Sequence, residues 1–465
     1  MAVCVIGGGV AGLTAAATVA SDLCDSNRVI LLESEQDVGG RVQSDVVDGF
    51  VLDRGFAVFI DQYPAAKQLL DLQALGLRPF LPGALVKCPG DNDQLARVSD
   101  PFRQPSDLLT ALVAPVGSLM DKLRVLPLLF HAVSKTPEQL FDEDETTTLE
   151  ALEKRWGFGT DMIDKFYKPF LEGIYLAPLD QQSSRMFHFV FKMFSEGSAT
   201  LPTGGIGAVS QQLRQKAQLH NVDVRVGKPV VSLVQDNNDK GTFLIETTDK
   251  NDAPIRAKTV IVATDGRVAQ KLLSGLDGFQ QMANEKEQPQ QAVGCLYYAL
   301  NEEPPVRDPI LILNGNASNN SNTATHPVNN VCFPSVVNPS YAPSPDQHLC
   351  SVTCLKPVME TLYRNDDEEK ELDAAVRAQL QTWFPLANIH DWKLLQTYYI
   401  PNAQPGQLGG PVPANVYGGR DCTRYRDQPL PEGLVLCGDH MASATLHGAL
   451  ESGVNAGKTI ANQLS

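Results

Sequence analysis

Positive charge is scarce in this chain of 465 residues: 38 Lys and Arg stand against 54 Asp and Glu, a net charge of −16. Affinity for nucleic acid is built from clustered cations on phosphates, so the balance argues against a nucleic-acid partner. Cys-x-x-Cys is missing too, and the nine cysteines (4, 24, 88, 295, 332, 350, 354, 422 and 437) are odd in number. That speaks against a disulfide framework and for scattered core thiols in a reducing compartment, cytoplasm or plastid stroma. The eight histidines lack metal-ligand spacing, so no metal site is expected. Ala2 to Ile6 run straight into glycines rather than a cleavage site, so no secretory leader is expected, although a transit peptide removed upstream stays open. An uninterrupted apolar run of about 20 residues, enough to span a bilayer, is also missing. The longest, Leu108 to Val133, is broken by Asp121, Lys122 and Arg124. Two readings of 108–133 stay open: a buried helical hairpin, which is favoured, or peripheral contact with a membrane surface.

Hydrophobic residues make up 43% and charged residues 20%, enough for a large buried core. The length suits about three domains' worth of chain. No internal repeat is visible. Residues 2–6 read as a strand, 7–12 as a glycine turn, 13–19 as an alanine-rich helix and 28–32 as a second strand, a βαβ opening. Long helical patterns follow, including 162–170 and 185–194. Strands are expected at 222–226, 230–234, 242–247 and 259–264, and a helix at 368–384 with Leu372, Val376, Leu380 and Trp383 on one face. The chain returns to strand at 434–437 and then to a helix ending near Asn462. A discontinuous two-domain α/β architecture follows.

Gly7-Gly8-Gly9-Val10-Ala11-Gly12 fits G-x-G-x-x-G between strand and helix. Gly7 permits the tight turn, Gly9 lets a pyrophosphate approach the backbone, and Gly12 lets the helix pack on the strand. The helix start at Ala11 adds its partial positive charge. Glu33, ending the second strand, is placed to accept both hydroxyls of an adenosine ribose, which argues against a 2′-phosphate. Gly39-Gly40-Arg41 follows, with amides and a guanidinium suited to a diphosphate. Lys228 to Leu233 precede a hairpin where the backbone at Val230 could pair with an adenine edge. Cys437-Gly438-Asp439 closes a strand, and Gly448 to Gly453 open the last helix. Asp439 would bond a ribityl or phosphate-side group, and the helix start near Ala449 and Leu450 would face a flavin pyrimidine ring.

Taken jointly and in this order, Val5 to Gly12, Glu33 to Arg41, Asp53 to Gly55, Pro229 to Leu233 and Gly438 to Gly453 resemble the flavin-containing amine oxidase superfamily. In texture the chain is closest to its phytoene desaturase and protoporphyrinogen oxidase-like branch. The resemblance covers essentially the whole chain. It implies non-covalently bound FAD, a Rossmann-like FAD-binding domain and a discontinuous α+β substrate domain. It implies cofactor contacts at Gly7, Gly9, Ala11, Gly12, Glu33, Gly40, Arg41, Gly55, Val230, Gly438, Asp439, Ala449 and Leu450. By similarity the FAD domain comprises 1–75, 200–275 and 425–465, and the substrate domain 76–199 and 276–424. Amine oxidases of the superfamily present a lysine near flavin N5 and two aromatic rings to the amine. Here the lysine position reads Ala299 and the C-terminal motif has no aromatic residue between its glycines. Tyr398 and Tyr399 remain as ring candidates and His447 as a candidate beside the flavin. The expected activity is hydride transfer from a largely apolar small molecule to flavin N5, with phenylalanines between Phe166 and Phe194 supplying apolar contact. True amine oxidation and a redox-neutral isomerase or hydratase of a polyene stay as alternatives. Oligomeric state is not legible.

Overall fold

The computed structural model describes residues 2–23, 28–88, 95–99, 103–104, 113–236, 238–239, 241–249, 252–285, 289–316, 325–363, 368–406, 421–426 and 428–464. At its centre is a five-stranded parallel sheet in the order Asp223–Arg225, Arg28–Leu32, Ala2–Ile6, Thr259–Val262, Leu434–Leu436. A parallel sheet covered on both faces needs strands that are apolar throughout, and Val3-Cys4-Val5-Ile6 and Thr259-Val260-Ile261-Val262 are buried along their whole length. Val3, Val5, Leu31, Ile261 and Val435 face one core with the helices Val10–Asp22, Gly207–Leu219 and Leu446–Leu464. Cys4, Ile6, Ile30, Val260 and Leu436 face the other, against the antiparallel strands Val230–Gln235, Phe243–Thr247 and Ile255–Ala257. Alternation along each strand thus builds a three-layer unit.

A second, seven-stranded sheet runs Lys393–Pro405, Gln290–Leu300, His348–Leu355, Asn330–Cys332, Leu311–Asn314, Gly83–Lys87, Leu95–Ser99. All its pairs are antiparallel except Leu311–Asn314 with Gly83–Lys87. The helix Glu369–Trp383 packs on it through Leu372, Val376, Leu380 and Trp383, as its periodicity predicts. The expected plain helix over 162–170 differs from what forms. A π-helical turn spans Ile163–Tyr167 and hands over to an α-helix at Lys168–Tyr175. Pro169 has no N–H to donate into an ordinary α-helical turn, and the wider turn absorbs that gap. No helix among the described residues is long and apolar enough to cross a membrane. The helix Leu119–Ser134 buries only Asp121, Leu128 and Ala132. The buried hairpin expected over 108–133 is therefore not what the described part forms; residues 108–112 lie outside the described residues.

One carboxylate ties the hairpin Ser44–Asp53 to the large sheet and to the turn before the helix Gly207–Leu219. Asp53 Oδ1 accepts from Ser44 Oγ at 2.6 Å and from the Ile206 N–H at 2.8 Å, and its Oδ2 accepts from Tyr341 Oη at 2.8 Å. Tyr297, from the large sheet, donates to the Asp53 carbonyl at 2.9 Å. Burial pushes the Asp53 carboxyl up to about 6, although those three hydrogen bonds pull it down. Its folded pKa exceeds the ordinary 3.8, so the fold keeps a proton that the unfolded chain releases between those values. The resulting stability is complete below about pH 4 and is lost as pH rises through about 6; the gap of about two units corresponds to roughly 3 kcal/mol. In Asp53→Asn the amide has no such titration. Urea unfolding from about pH 4 to 6.5 should show the wild type losing stability relative to Asp53→Asn, and a constant difference between the two contradicts this account.

Candidate functional site

Two glycine turns meet at the end of the first strand. Gly7 has φ +107°, and a Cβ there would lie 2.7 Å from the Ala263 carbonyl oxygen. A Cβ on Gly12 would overlap the Gly7 carbonyl oxygen, so the helix seats on the turn only with glycine. Gly9 is the helix N-cap, and a Cβ on it would meet nothing within 4 Å. Gly39 pairs with Gly9 in a parallel bridge and donates its N–H to the Gly8 carbonyl at 2.8 Å. Gly40, with φ +59°, comes next, nearest to the Gly9 Cα. Gly9 and Gly40 therefore form a bare backbone cradle at a helix N-terminus, open on one side. Such a cradle fits a diphosphate.

Glu33 forms the back of the cradle. It is buried, and its Oε2 accepts the Gly8 N–H at 2.6 Å while Oε1 accepts from the Glu35 N–H at 2.8 Å and Ser34 Oγ at 2.9 Å. A carboxylate has about four acceptor positions, so capacity remains for a further hydroxyl donor. The Gly227 and Lys228 N–H groups donate to the carbonyls of Glu35 and Glu33, which lays the start of the Val230 strand alongside. Arg41 reaches across to the far end of the chain, donating to Asp439 Oδ1 at 2.7 Å and to the Ala403 carbonyl at 3.0 Å. Burial raises the Asp439 carboxyl, but the Arg41 charge and hydrogen bond outweigh it and hold it below the usual carboxylate range. Gly438, at φ +144°, donates to Ser452 Oγ at 3.0 Å and aims Asp439 at Arg41.

Several expected positions land elsewhere. The last helix starts at Leu446, one turn before Ala449, and the Ala449 N–H is already bonded to the Thr445 carbonyl at 3.0 Å. The amides at the helix start are those of Leu446 and His447, and Leu450 is wholly buried in the core. Gly453 serves packing between helices: a Cβ there would lie 2.5 Å from the Ala11 carbonyl oxygen. Gly55, at φ +85°, sits under Ile400 and Val293 of the large sheet. Tyr398 and Tyr399 are neighbours on one strand and point to opposite faces. Tyr398 donates to Asp45 Oδ2 at 2.7 Å, whereas Tyr399 meets the Tyr363 ring on the other side, so the two make no aromatic pair. His447 is 1% exposed, with its ring 5.8 Å from that of Tyr63 and 5.6 Å from that of Phe189. Its Nδ1 accepts the Ala65 N–H at 3.3 Å, and burial pulls its pKa down to about 4, so it is a neutral ring near pH 7.

The sequence reading missed a cluster of metal-ligand types. His131 Nε2 lies 2.8 Å and His188 Nδ1 3.4 Å from the two oxygens of Glu143. Positions 131, 143 and 188 carry no local spacing, so only the packing of the helix Ser184–Glu196 brings them together. Lys135 and Arg155 already hold Glu143, at 2.5 and 2.7 Å. Trp156 Nε1 donates to His188 Nε2 at 3.1 Å, which leaves the proton of neutral His188 on Nδ1, facing Glu143. A metal ion would meet two fixed cations and an N–H, so the cluster is read as an ion-pair hub.

The cradle yields a direct test. Glu33→Ala removes the acceptor of the Gly8 N–H and, if the ribose assignment holds, that of a ribose hydroxyl, and charge-assisted hydrogen bonds contribute roughly 1.5–3 kcal/mol. FAD affinity, followed by flavin fluorescence on dilution, should fall about 10- to 100-fold. Unchanged affinity contradicts the ribose assignment.

Among characterised proteins the chain is similar to the carotenoid phi-ring synthase of Streptomyces griseus, 29% identical over 294 residues that cover 59% of this chain and 54% of that protein. It is also similar to the coproporphyrinogen III oxidase of Bacillus subtilis (strain 168), 27% identical over 191 residues, 39% of this chain and 38% of that one. The chain thus spans about half or less of the length of these relatives. A solved structure provisionally named a protoporphyrinogen oxidase, from Exiguobacterium sp. 255-15, superposes with a TM-score of 0.71 at 18% identity, covering 99% of each chain. Putrescine oxidase bound to putrescine superposes with a TM-score of 0.67 at 16% identity, covering 100% of this chain and 99% of that one. These two share the fold. Residues 10–461 match the family of flavin containing amine oxidoreductases; the chain belongs to that family, and its cofactor is a flavin.

Proposed function

We propose that the chain is an FAD-dependent oxidoreductase that holds FAD without a covalent bond and takes a hydride from a largely apolar organic substrate, of the polyene or tetrapyrrole class. When bound, FAD supplies a hydride acceptor at N5. Gly9, Gly40 and the first helix N-terminus would hold its diphosphate, Glu33 its adenosine ribose, and the backbone at Val230 its adenine. Arg41 and Asp439 would fix the ribityl and phosphate side. We take 1–75, 200–275 and 425–465 as the FAD-binding domain and 76–199 with 276–424 as the substrate domain. The described cysteines are free and all but Cys88 are buried, which suits a reducing compartment such as cytoplasm or plastid stroma.

The observation that carries the substrate class is the apolar, ring-packed interior on the substrate side. Phe170 lies 5.7 Å from Phe166 and 5.5 Å from Phe194, centroid to centroid, and Phe187 packs on Tyr167 and Phe191. Tyr175, Ala177, Met186, Pro405 and Ala444, together with the polar Gln182, Ser183 and Gln404, line a narrow cavity where this helical part meets the strand Lys393–Pro405 and the turn before the last helix. The strand Gln290–Leu300 carries no lysine, Tyr398 is engaged with Asp45, and His447 is neutral. Apolar contact, roughly 25 cal/mol per Å² buried, then supplies binding, and water is excluded from the reacting bond. The carotenoid and porphyrinogen names of the curated relatives support the same class.

Anaerobic mixing of the holoenzyme with candidate substrates tests this reading. Common mono- and polyamines should leave the flavin absorbance unbleached, whereas a polyene or tetrapyrrole should bind and bleach it. Fast bleaching by a primary amine restores amine oxidation, and binding with a changed product isomer but no bleaching favours the redox-neutral activity.

A further inference from the structure

We propose that Gln182 sets the specificity of the narrow cavity by accepting a hydrogen bond from a terminal hydroxyl on the substrate's apolar skeleton. This rests on the apolar-substrate reading above and deepens it. Gln182 is 2% exposed and lines the cavity beside Tyr175, Ala177, Met186 and Gln404. The residue is held at both ends. Its backbone carbonyl accepts the Thr148 N–H at 2.8 Å, and its Nε2 donates to the Ala177 carbonyl. The opposite amide orientation would set two carbonyl oxygens against each other, so the nitrogen faces Ala177. Oε1 is buried and has no hydrogen-bond partner among the described residues. A buried acceptor in that condition is destabilising until a donor reaches it.

The other polar groups of the cavity narrow the choice of ligand. Tyr175 Oη donates to the Met186 carbonyl at 3.1 Å, Ser183 Oγ to Glu145 Oε2 at 2.8 Å, and Gln404 Nε2 to the Ile174 carbonyl at 3.1 Å. What Gln182 offers is an acceptor, which attracts a hydroxyl and repels a carbonyl or carboxylate oxygen. No Lys or Arg lines the cavity to neutralise a carboxylate. The room is about 10 Å³, one water-sized sphere, which admits a hydroxyl and keeps a ring outside. The cavity also adjoins the cofactor side. Gln404 follows Ala403, whose carbonyl accepts from Arg41 at 3.0 Å, and Ala444 stands two residues before the last helix. A substrate tip fixed here places its skeleton beside the proposed flavin site.

Retinol and its deoxy analogue, in which hydrogen replaces the hydroxyl, test this on the holoenzyme. Anaerobic titrations are followed by retinoid fluorescence. The wild type should bind retinol at least about tenfold more tightly than the deoxy analogue. Gln182→Met keeps the chain length without the amide oxygen, and should lower that ratio at least about tenfold with flavin content unchanged. A purely structural role for Gln182 would weaken both probes alike; an unchanged ratio in the variant therefore overturns the proposal. Equal binding of the two probes by the wild type also overturns it, whether or not the variant folds, and leaves the apolar-substrate reading standing. Binding of neither probe overturns both.

Discussion

The first and last helices of the chain touch almost backbone to backbone, and the rest of the site depends on that crossing. Gly453 lies against the Ala11 carbonyl and Thr14, and Gly457 against Thr18 and the Ala15 carbonyl, where a Cβ would come within 2.5 to 3.0 Å. Two glycines one turn apart, with Ala456 buried between them, let the helices close to this distance. The consequence is topological. The strand Leu434–Leu436 takes the edge of the parallel sheet beside Thr259–Val262, and the turn after it falls over the glycine cradle. Residues separated by almost the whole chain, Arg41 and Asp439, then come within 2.7 Å. A wider helix crossing would pull Asp439 away from Arg41.

Two buried carboxylates show how differently the fold uses the same group. Asp439 faces a guanidinium and stays ionised, so its charge is fixed where a cofactor would lie. Asp53 faces only neutral donors, Ser44, Tyr341 and the Ile206 amide, and burial lifts its pKa. The first holds the two ends of the chain over the cradle. The second holds the hairpin Ser44–Asp53 against the large sheet and the turn at 205–207. Around Asp53 the hairpin and the large sheet also share an apolar cluster, Phe50 and Leu52 with Cys295, Tyr297 and Ala299, so the carboxylate is a polar tie set in a core.

Much of the fold around the glycine turns was legible in the sequence because its signals are local. A strand, a G-x-G-x-x-G turn and a helix lie within residues 2–22, and Glu33 ends the next strand in register with the first. What stayed hidden depended on geometry over longer range. Two adjacent tyrosines cannot share a face of a strand, and Thr445 starts the last helix earlier than its glycines suggest. The His131–Glu143–His188 hub is assembled by packing alone. The apolar stretch around 119–134 favours burial when read from sequence, and only the packed helix shows that its inward face is narrow. Hydrophobicity fixes that a face must be covered, but not by what.

The central claim is that the bare backbone at Gly9 and Gly40, with Glu33 behind it and Arg41–Asp439 beside it, is shaped for one adenine dinucleotide. Mass spectrometry of the small molecule released when the purified, folded protein is denatured tests this most directly. The account predicts FAD, intact and in a one-to-one ratio with protein, and no flavin left on the peptide. Release of FMN, of a nicotinamide dinucleotide, or of nothing from protein that cannot be reconstituted with FAD would contradict it.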